Sequence, residues 1–137
     1  MTWNWVWKRA KYRHGNVSPL RGAPPRPRTK TYSAQTGYVY QYAYKGFRSF
    51  ETGTEFVFEV TQNRTSPLTV TVALQQTALS ECAASIGREI LSAERYAIAK
   101  MTLFAAFDRT EDPKDFEKPL VPDAQSMIEH LRTLGRI

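Results

Sequence analysis

Ser92-Ala-Glu-Arg-Tyr-Ala-Ile-Ala-Lys-Met-Thr-Leu-Phe-Ala-Ala-Phe-Asp108 is the longest uninterrupted run of good helix formers in the chain, and no Gly or Pro follows it until Pro113. The spacing predicts a helix. Ser92 stands where it can cap the first turn, and Glu94 sits where the macrodipole favours an anion. At about 100° per residue, Tyr96, Ala99, Leu103, Ala106 and Phe107 gather on one face, with Ala97 and Phe104 beside them. Ile98, Met101 and Ala105 lie on the other side. Glu94, Arg95, Thr102, Asp108 and Arg109 are left to form a narrow wet edge. A helix this apolar is covered on most of its circumference.

Working back from it, Gln76 to Ile86 reads as a short helix closed by Gly87, followed by a link through Ile90 and Leu91. Before that come three alternating stretches. Gly37 to Lys45 places Tyr38, Tyr40, Tyr42 and Tyr44 on one face and Val39, Gln41 and Ala43 on the other. Gly46 and Glu51-Thr-Gly53 read as turn chemistry. Thr54 to Thr61 sets Phe56, Phe58 and Val60 against Glu55, Val57 and Glu59. Beyond Asn63-Arg-Thr-Ser-Pro67, Leu68, Val70, Val72 and Leu74 alternate with Thr69, Thr71 and Ala73. Pro67 lies just outside that strand, where it removes no ladder donor.

Working forward, Thr110 to Pro122 is a charged, proline-containing loop expected to cross the surface. A last helix starts at Asp123, with Met127, Ile128, Leu131 and Leu134 on one stripe and Gly135 able to end it. The expected fold is α+β: a three-stranded antiparallel meander followed by two packed helices and a C-terminal helix, with an extended basic N-terminal arm. The expected divisions are residues 1–31 for the arm, 32–109 for the compact domain and 110–137 for the loop and last helix.

The arm differs in composition from the rest. Residues 1–50 hold ten Lys and Arg and no acid, whereas residues 51–137 hold nine bases and thirteen acids. A basic arm on a mildly acidic body points to an anionic partner: nucleic acid, acidic protein or lipid headgroup. Trp3, Trp5 and Trp7 alternate, Lys8, Arg9, Lys11 and Arg13 follow, and Pro19, Pro24, Pro25 and Pro27 favour extended backbone around Arg26 and Arg28. The tryptophans read as an anchor for a partner groove, for stacked bases or for peripheral membrane contact. Two structural alternatives stand beside this: they fold back onto the chain's own sheet, or they belong to an added leader. Asn63-Arg-Thr65 matches a glycosylation sequon by chance.

With one cysteine, Cys82, no internal disulfide framework can form, and 42% apolar residues suit a packed core. No apolar run approaches the roughly 20 residues of a membrane span, and no secretory signal pattern opens the chain. The expected setting is cytoplasmic. His14 and His130 are isolated, Cys82 sits among apolar helix positions, and no glycine-rich phosphate loop links a strand to a helix, so no catalytic, metal or cofactor set is read. Lys100 falls inside the apolar face of the central helix. Its stem is expected to pack while its ammonium escapes to an edge or meets Glu55 or Glu59.

The four tyrosines allow two readings, a platform for bases, sugars or protein, or core packing; the middle two lean to packing because Gln41 and Lys45 make the other face a poorer core. Tyr32-Ser-Ala-Gln-Thr-Gly-Tyr-Val-Tyr-Gln-Tyr42 and Glu94 to Asp108 resemble the signatures of a family of small bacterial proteins with no assigned activity. The resemblance spans about residues 31–109. It implies domain limits and a bacterial cytosolic setting, and it carries over no site residue. The functional expectation is a non-enzymatic accessory subunit that docks into a larger assembly through its arm and an apolar helix face. The alternative is a nucleic-acid-binding module using the arm and the tyrosine strand.

Overall fold

The computed structural model describes residues 18–26, 28–62, 66–110 and 112–137. Trp3, Trp5, Trp7, Lys8, Arg9, Lys11, Arg13, His14 and the Asn63 to Thr65 sequon lie outside them. The elements are β1 (Lys30–Ser33), β2 (Val39–Phe50), β3 (Gly53–Gln62), β4 (Leu68–Gln75), α1 (Gln76–Ile86), α2 (Ser92–Arg109), a 3₁₀ turn (Pro113–Phe116) and α3 (Ala124–Thr133). The class is α+β. The sheet is antiparallel with order β1-β2-β3-β4, so it has four strands where three were expected. β1, at four residues, is too short to show an alternation in the sequence. Pairing with β2 is what holds it, with Tyr32 opposite Tyr40.

β2 also runs five residues further than expected, from Lys45 to Phe50. Gly46 is not a turn but a bulge. The register shifts between Tyr44 and Gly46, and at φ +126 the glycine re-aims the strand at little steric cost. The bulge has a second use. Arg21 exchanges both backbone hydrogen bonds with Phe47, at 2.7 and 2.8 Å. A Cβ on Gly46 would lie 2.5 Å from the Arg21 carbonyl oxygen. The latter half of the supposed free arm is thus fastened along the edge of β2. Gly46→Ala is therefore expected to cost about 1–2 kcal/mol through strain at that φ. It should also open the Arg21 segment to trypsin, which limited proteolysis would show.

Cross-strand partners share a face, so the register puts Tyr40, Tyr42, Tyr44, Phe47, Phe56, Phe58, Val60, Val70, Val72 and Leu74 together against the helices. The opposite face carries Gln41, Glu59, Thr69 and Thr71, and the Arg48 to Glu55 ion pair at 3.0 Å. That face also carries Ala43, Val57 and Ala73, all buried, so it is mixed rather than wholly polar.

α2 begins one residue earlier in its capping than the sequence suggests. Leu91 takes the cap position, its backbone N–H donates to Glu94 Oε1 at 2.9 Å, and Ser92 already lies within the helix. The expected wet edge is also partly wrong. Glu94 is 2% exposed and Thr102 is buried, its hydroxyl donating to the Ile98 carbonyl at 2.8 Å. α3 packs against both α1 and α2 and contributes Met127 and Leu131 to the core that holds Ile98. On the second apolar side of α2, Ile98 is thus covered within the chain, while Met101 and Ala105 are half-buried. Leu134, expected on the same stripe, is exposed because the last turn ends before it can reach the core.

Residues 110–137 join the same core. Phe116 stands edge-on to Phe107 at 5.7 Å and to Tyr40 at 6.0 Å between ring centroids. Leu120 pairs in parallel with Val72, accepting from Ala73 N–H and donating to the Thr71 carbonyl, both at 2.8 Å. The segment crosses the surface, with Asp112, Lys114, Asp115, Glu117 and Lys118 exposed, and at Leu120 it also pairs along the β4 edge. No helix among the described residues is long and apolar enough to cross a membrane.

Candidate functional site

The tyrosine strand supplies the floor of the site, but not as a flat platform. Tyr40 is 1% exposed, stacks on Phe107 with centroids 4.1 Å apart, and its hydroxyl donates to the Thr110 carbonyl at 2.9 Å. Tyr42 is buried edge-on to Phe104. Four rings in a row cannot be presented to a ligand when α2 lies across the middle two. Tyr38 and Tyr44, at either end, keep part of their surface. Tyr44 meets Tyr96 of α2 at 4.8 Å, ring to ring.

Beside Tyr42 and Tyr44 lies a cavity of about 560 Å³ walled by Gly22, Pro24, Pro25, Arg26, Arg28, Lys30 and Tyr96. Its existence follows from two local facts. The Arg21 to Phe47 pairing fastens the chain beside the β2 edge, and the pairing of Lys30 with Tyr42 returns it to the same edge, with a bend at Pro25 and Arg26 between them. The result places three cations around aromatic walls, with no carboxylate in the lining among the described residues. Of the basic residues picked out in the sequence, Arg26 and Arg28 are in this wall. Lys30, counted there only as part of the charge, joins them.

Lys100 completes the cluster. Its Nζ lies 5.9 Å from the Tyr42 ring centroid and 5.8 Å from that of Phe104, within cation–π range. Lys30 is paired opposite Tyr42, so both lysines flank one ring. Burial lowers the Lys100 pKa, and repulsion from Lys30 lowers it further. The expected meeting of Lys100 with Glu55 or Glu59 does not occur, because those carboxylates project from the far face of the sheet. Two ammonium groups side by side over an aromatic ring repel each other, and an anion between them would relieve that repulsion.

A second cavity, of about 460 Å³, shares Tyr44 and Tyr96 with the first and is otherwise lined by Phe47, Ser49, Thr54, Phe56, Ser92, Ala93 and Arg95. Arg95 Nε is shut off from solvent with no hydrogen-bond partner among the described residues. Tyr96, assigned from the helical wheel to a fully covered face, is half-buried and divides the two cavities. The signal that could have found this place was Lys100 itself, a charge inside an apolar stripe.

The other chemistry-bearing residues are apart from it. Cys82 is fully buried in α1, and burial pushes its thiol pKa up, which suits a small core residue. Burial likewise lowers the His130 pKa, in a separate cavity beside Arg109. Among the described residues no three His, Cys, Asp or Glu side chains come together as metal ligands would. Tyr32 closes the β1 edge by donating to Asp108 Oδ2 at 2.7 Å, and burial first, then that bond, lift its pKa to about 12. No family model, no curated protein and no solved structure matches the chain, so the function must be argued from this groove and the arm that leads into it.

Proposed function

We propose that the chain is a non-enzymatic accessory subunit that docks onto a larger assembly through its aromatic basic arm and the groove at the arm's base. The observation that supports this reading is the fastening of residues 21–22 to the β2 edge, which turns Arg26, Arg28 and Lys30 from a loose charged run into one wall of an aromatic cavity. Held in place, such side chains lose less conformational freedom on binding than they would in a free tail. The apolar face of α2 that was expected to share the docking is occupied by α3 and by the sheet, so the groove takes its place in the proposal.

The tryptophans supply the anchor in this reading, since interface energy concentrates in Trp, Tyr and Arg. Changing Trp3, Trp5 and Trp7 together to Ala in the full chain is expected to release the protein from its partner in a nuclease-treated pull-down, while the melting temperature stays nearly unchanged. A melting point many degrees lower would make the tryptophans part of the fold, and an unchanged pull-down would remove them from the interface. The nucleic-acid reading is favoured by one specific feature, the clustering of four cations beside Tyr42, Tyr44 and Tyr96. Its signature is salt dependence: affinity for a 20-mer should fall with a log slope of roughly 0.7–0.9 per neutralised phosphate.

A further inference from the structure

We infer that the two cavities joined at Tyr44 and Tyr96 form one site for a nucleotide unit, with the phosphate among Arg26, Arg28, Lys30 and Lys100 and the base in the Phe47, Phe56 and Arg95 cavity. Each compartment asks for a different chemistry. The first has cations on its rim, tyrosine and proline walls, and no acid in its lining among the described residues. Lys30 and Lys100 flank the same Tyr42 ring. A phosphate, with close to two negative charges and several acceptor oxygens, can take donors from several of these side chains at once.

The second compartment is apolar on most sides, with the rings of Tyr44, Phe47, Phe56 and Tyr96 and the cationic side chain of Arg95 in its lining. The ligand that suits this cavity is a flat apolar group that stacks on those rings and carries an acceptor on its edge for the guanidinium. A nucleobase has that form, with ring faces that stack on aromatic side chains and a carbonyl or ring nitrogen at its rim. An acyl chain would fill the space but offer the Arg95 guanidinium no acceptor. The volumes, about 560 and 460 Å³, are in the range of small-molecule sites. Among the described residues, neither lining includes a carboxylate that would repel the phosphate. This site goes beyond the docking reading and does not depend on the tryptophan arm.

The test is calorimetric titration of the full chain, at low salt, with AMP, UMP, adenosine, inorganic phosphate, an oligo(U) 10-mer and a 10-residue acidic peptide. Both mononucleotides are expected to bind at least about tenfold more tightly than phosphate or adenosine, because each of those engages one compartment, and one charge-assisted bond is worth that order. Lys30→Gln should weaken AMP and phosphate alike. Arg95→Gln should weaken AMP while leaving phosphate unchanged. Should Arg95→Gln fail to fold, NOEs from the base protons of AMP to the ring protons of Tyr44 and Tyr96 in the unsubstituted protein give the same information. Equal binding of AMP and phosphate, with no such NOEs, would mean an adventitious anion only and would overturn the assignment. So would binding of the acidic peptide without any nucleotide, which would return the groove to a protein partner. A 10-mer much tighter than UMP identifies a strand as the source of the nucleotide unit; equal affinity identifies a free nucleotide. If the 10-mer alone binds and Lys30→Gln leaves it untouched, nucleic acid is held by the arm and this site is refuted while the nucleic-acid reading survives.

Discussion

Replacing Phe107 by Ala is expected to destabilise the fold by about 3–5 kcal/mol, the largest loss any single truncation should produce. The ring is wholly buried. It stacks on Tyr40 at 4.1 Å, meets Phe116 edge-on at 5.7 Å, and reaches Tyr32 at 5.7 Å. It therefore joins β1, β2, α2 and the 3₁₀ turn at one point, and no neighbour can collapse into the space without breaking a ring contact. Chemical denaturation measures the loss. Phe104, which the helical wheel places beside it, behaves differently. It is only part-buried and stacks on Tyr32 at 4.4 Å near the sheet edge, so Phe104→Ala should cost about 1–2 kcal/mol, less than a central core ring. Equal costs for the two would mean that the orientation of α2 described above is wrong.

The second large effect is at Glu94. Its carboxylate accepts from Arg88 Nη1 at 2.8 Å, Arg88 Nη2 at 2.9 Å, Arg136 Nε at 3.0 Å and the Leu91 backbone N–H at 2.9 Å. One buried anion thus ties the α1–α2 link, the start of α2 and the end of the chain. The Arg88 hydrogen bonds first, then the Leu91 N–H, hold its pKa down to about 2 against the opposing effect of burial. Glu94→Gln is expected to cost about 2–3 kcal/mol at pH 7. The cost stays below that of a fully buried broken pair because Arg88 and Arg136 are 39% and 50% exposed and regain water.

The sign with pH follows from linkage. A carboxyl whose folded pKa is depressed contributes fully above its unfolded value, near 4.5, and loses that contribution as pH falls toward about 2. The gap between the native chain and Glu94→Gln should therefore be widest at neutral pH and close across that window. A gap independent of pH would mean that the substitution acts through packing rather than through the charge.

Much of this architecture is readable in the residues. Gln76 to Ile86 with Gly87 as its stop forms the helix expected, and Asp123 caps α3 by accepting from Ser126 N–H at 2.8 Å. The alternations in β2, β3 and β4 put Tyr40, Phe58 and Val70 on the buried side. These are local signals, periods of 2 and 3.6 and capping chemistry, which need no knowledge of what lies opposite. The errors share the reverse property. β1 has too few residues to carry a period, and Gly46 reads the same whether it turns a chain or bulges a strand. Glu94 reads as a surface anion until Arg136 arrives from 42 positions away.

The groove has the same history. Its cations were visible as charge, but nothing in their spacing links Arg26, Arg28 and Lys30 to Lys100 and Tyr96. By itself the sequence determined the class of fold, the buried faces of the long strands, the two consecutive helices and the basic character of the first fifty residues. Tertiary structure decided that Arg21 pairs with the β2 edge, that α3 packs on α2 and that the cations converge beside tyrosines. The reason is physical. Periodicity reports the environment one residue needs, whereas convergence depends on strand register and chain reversal, such as the Arg21 to Phe47 pairing, between residues that carry no mark of each other.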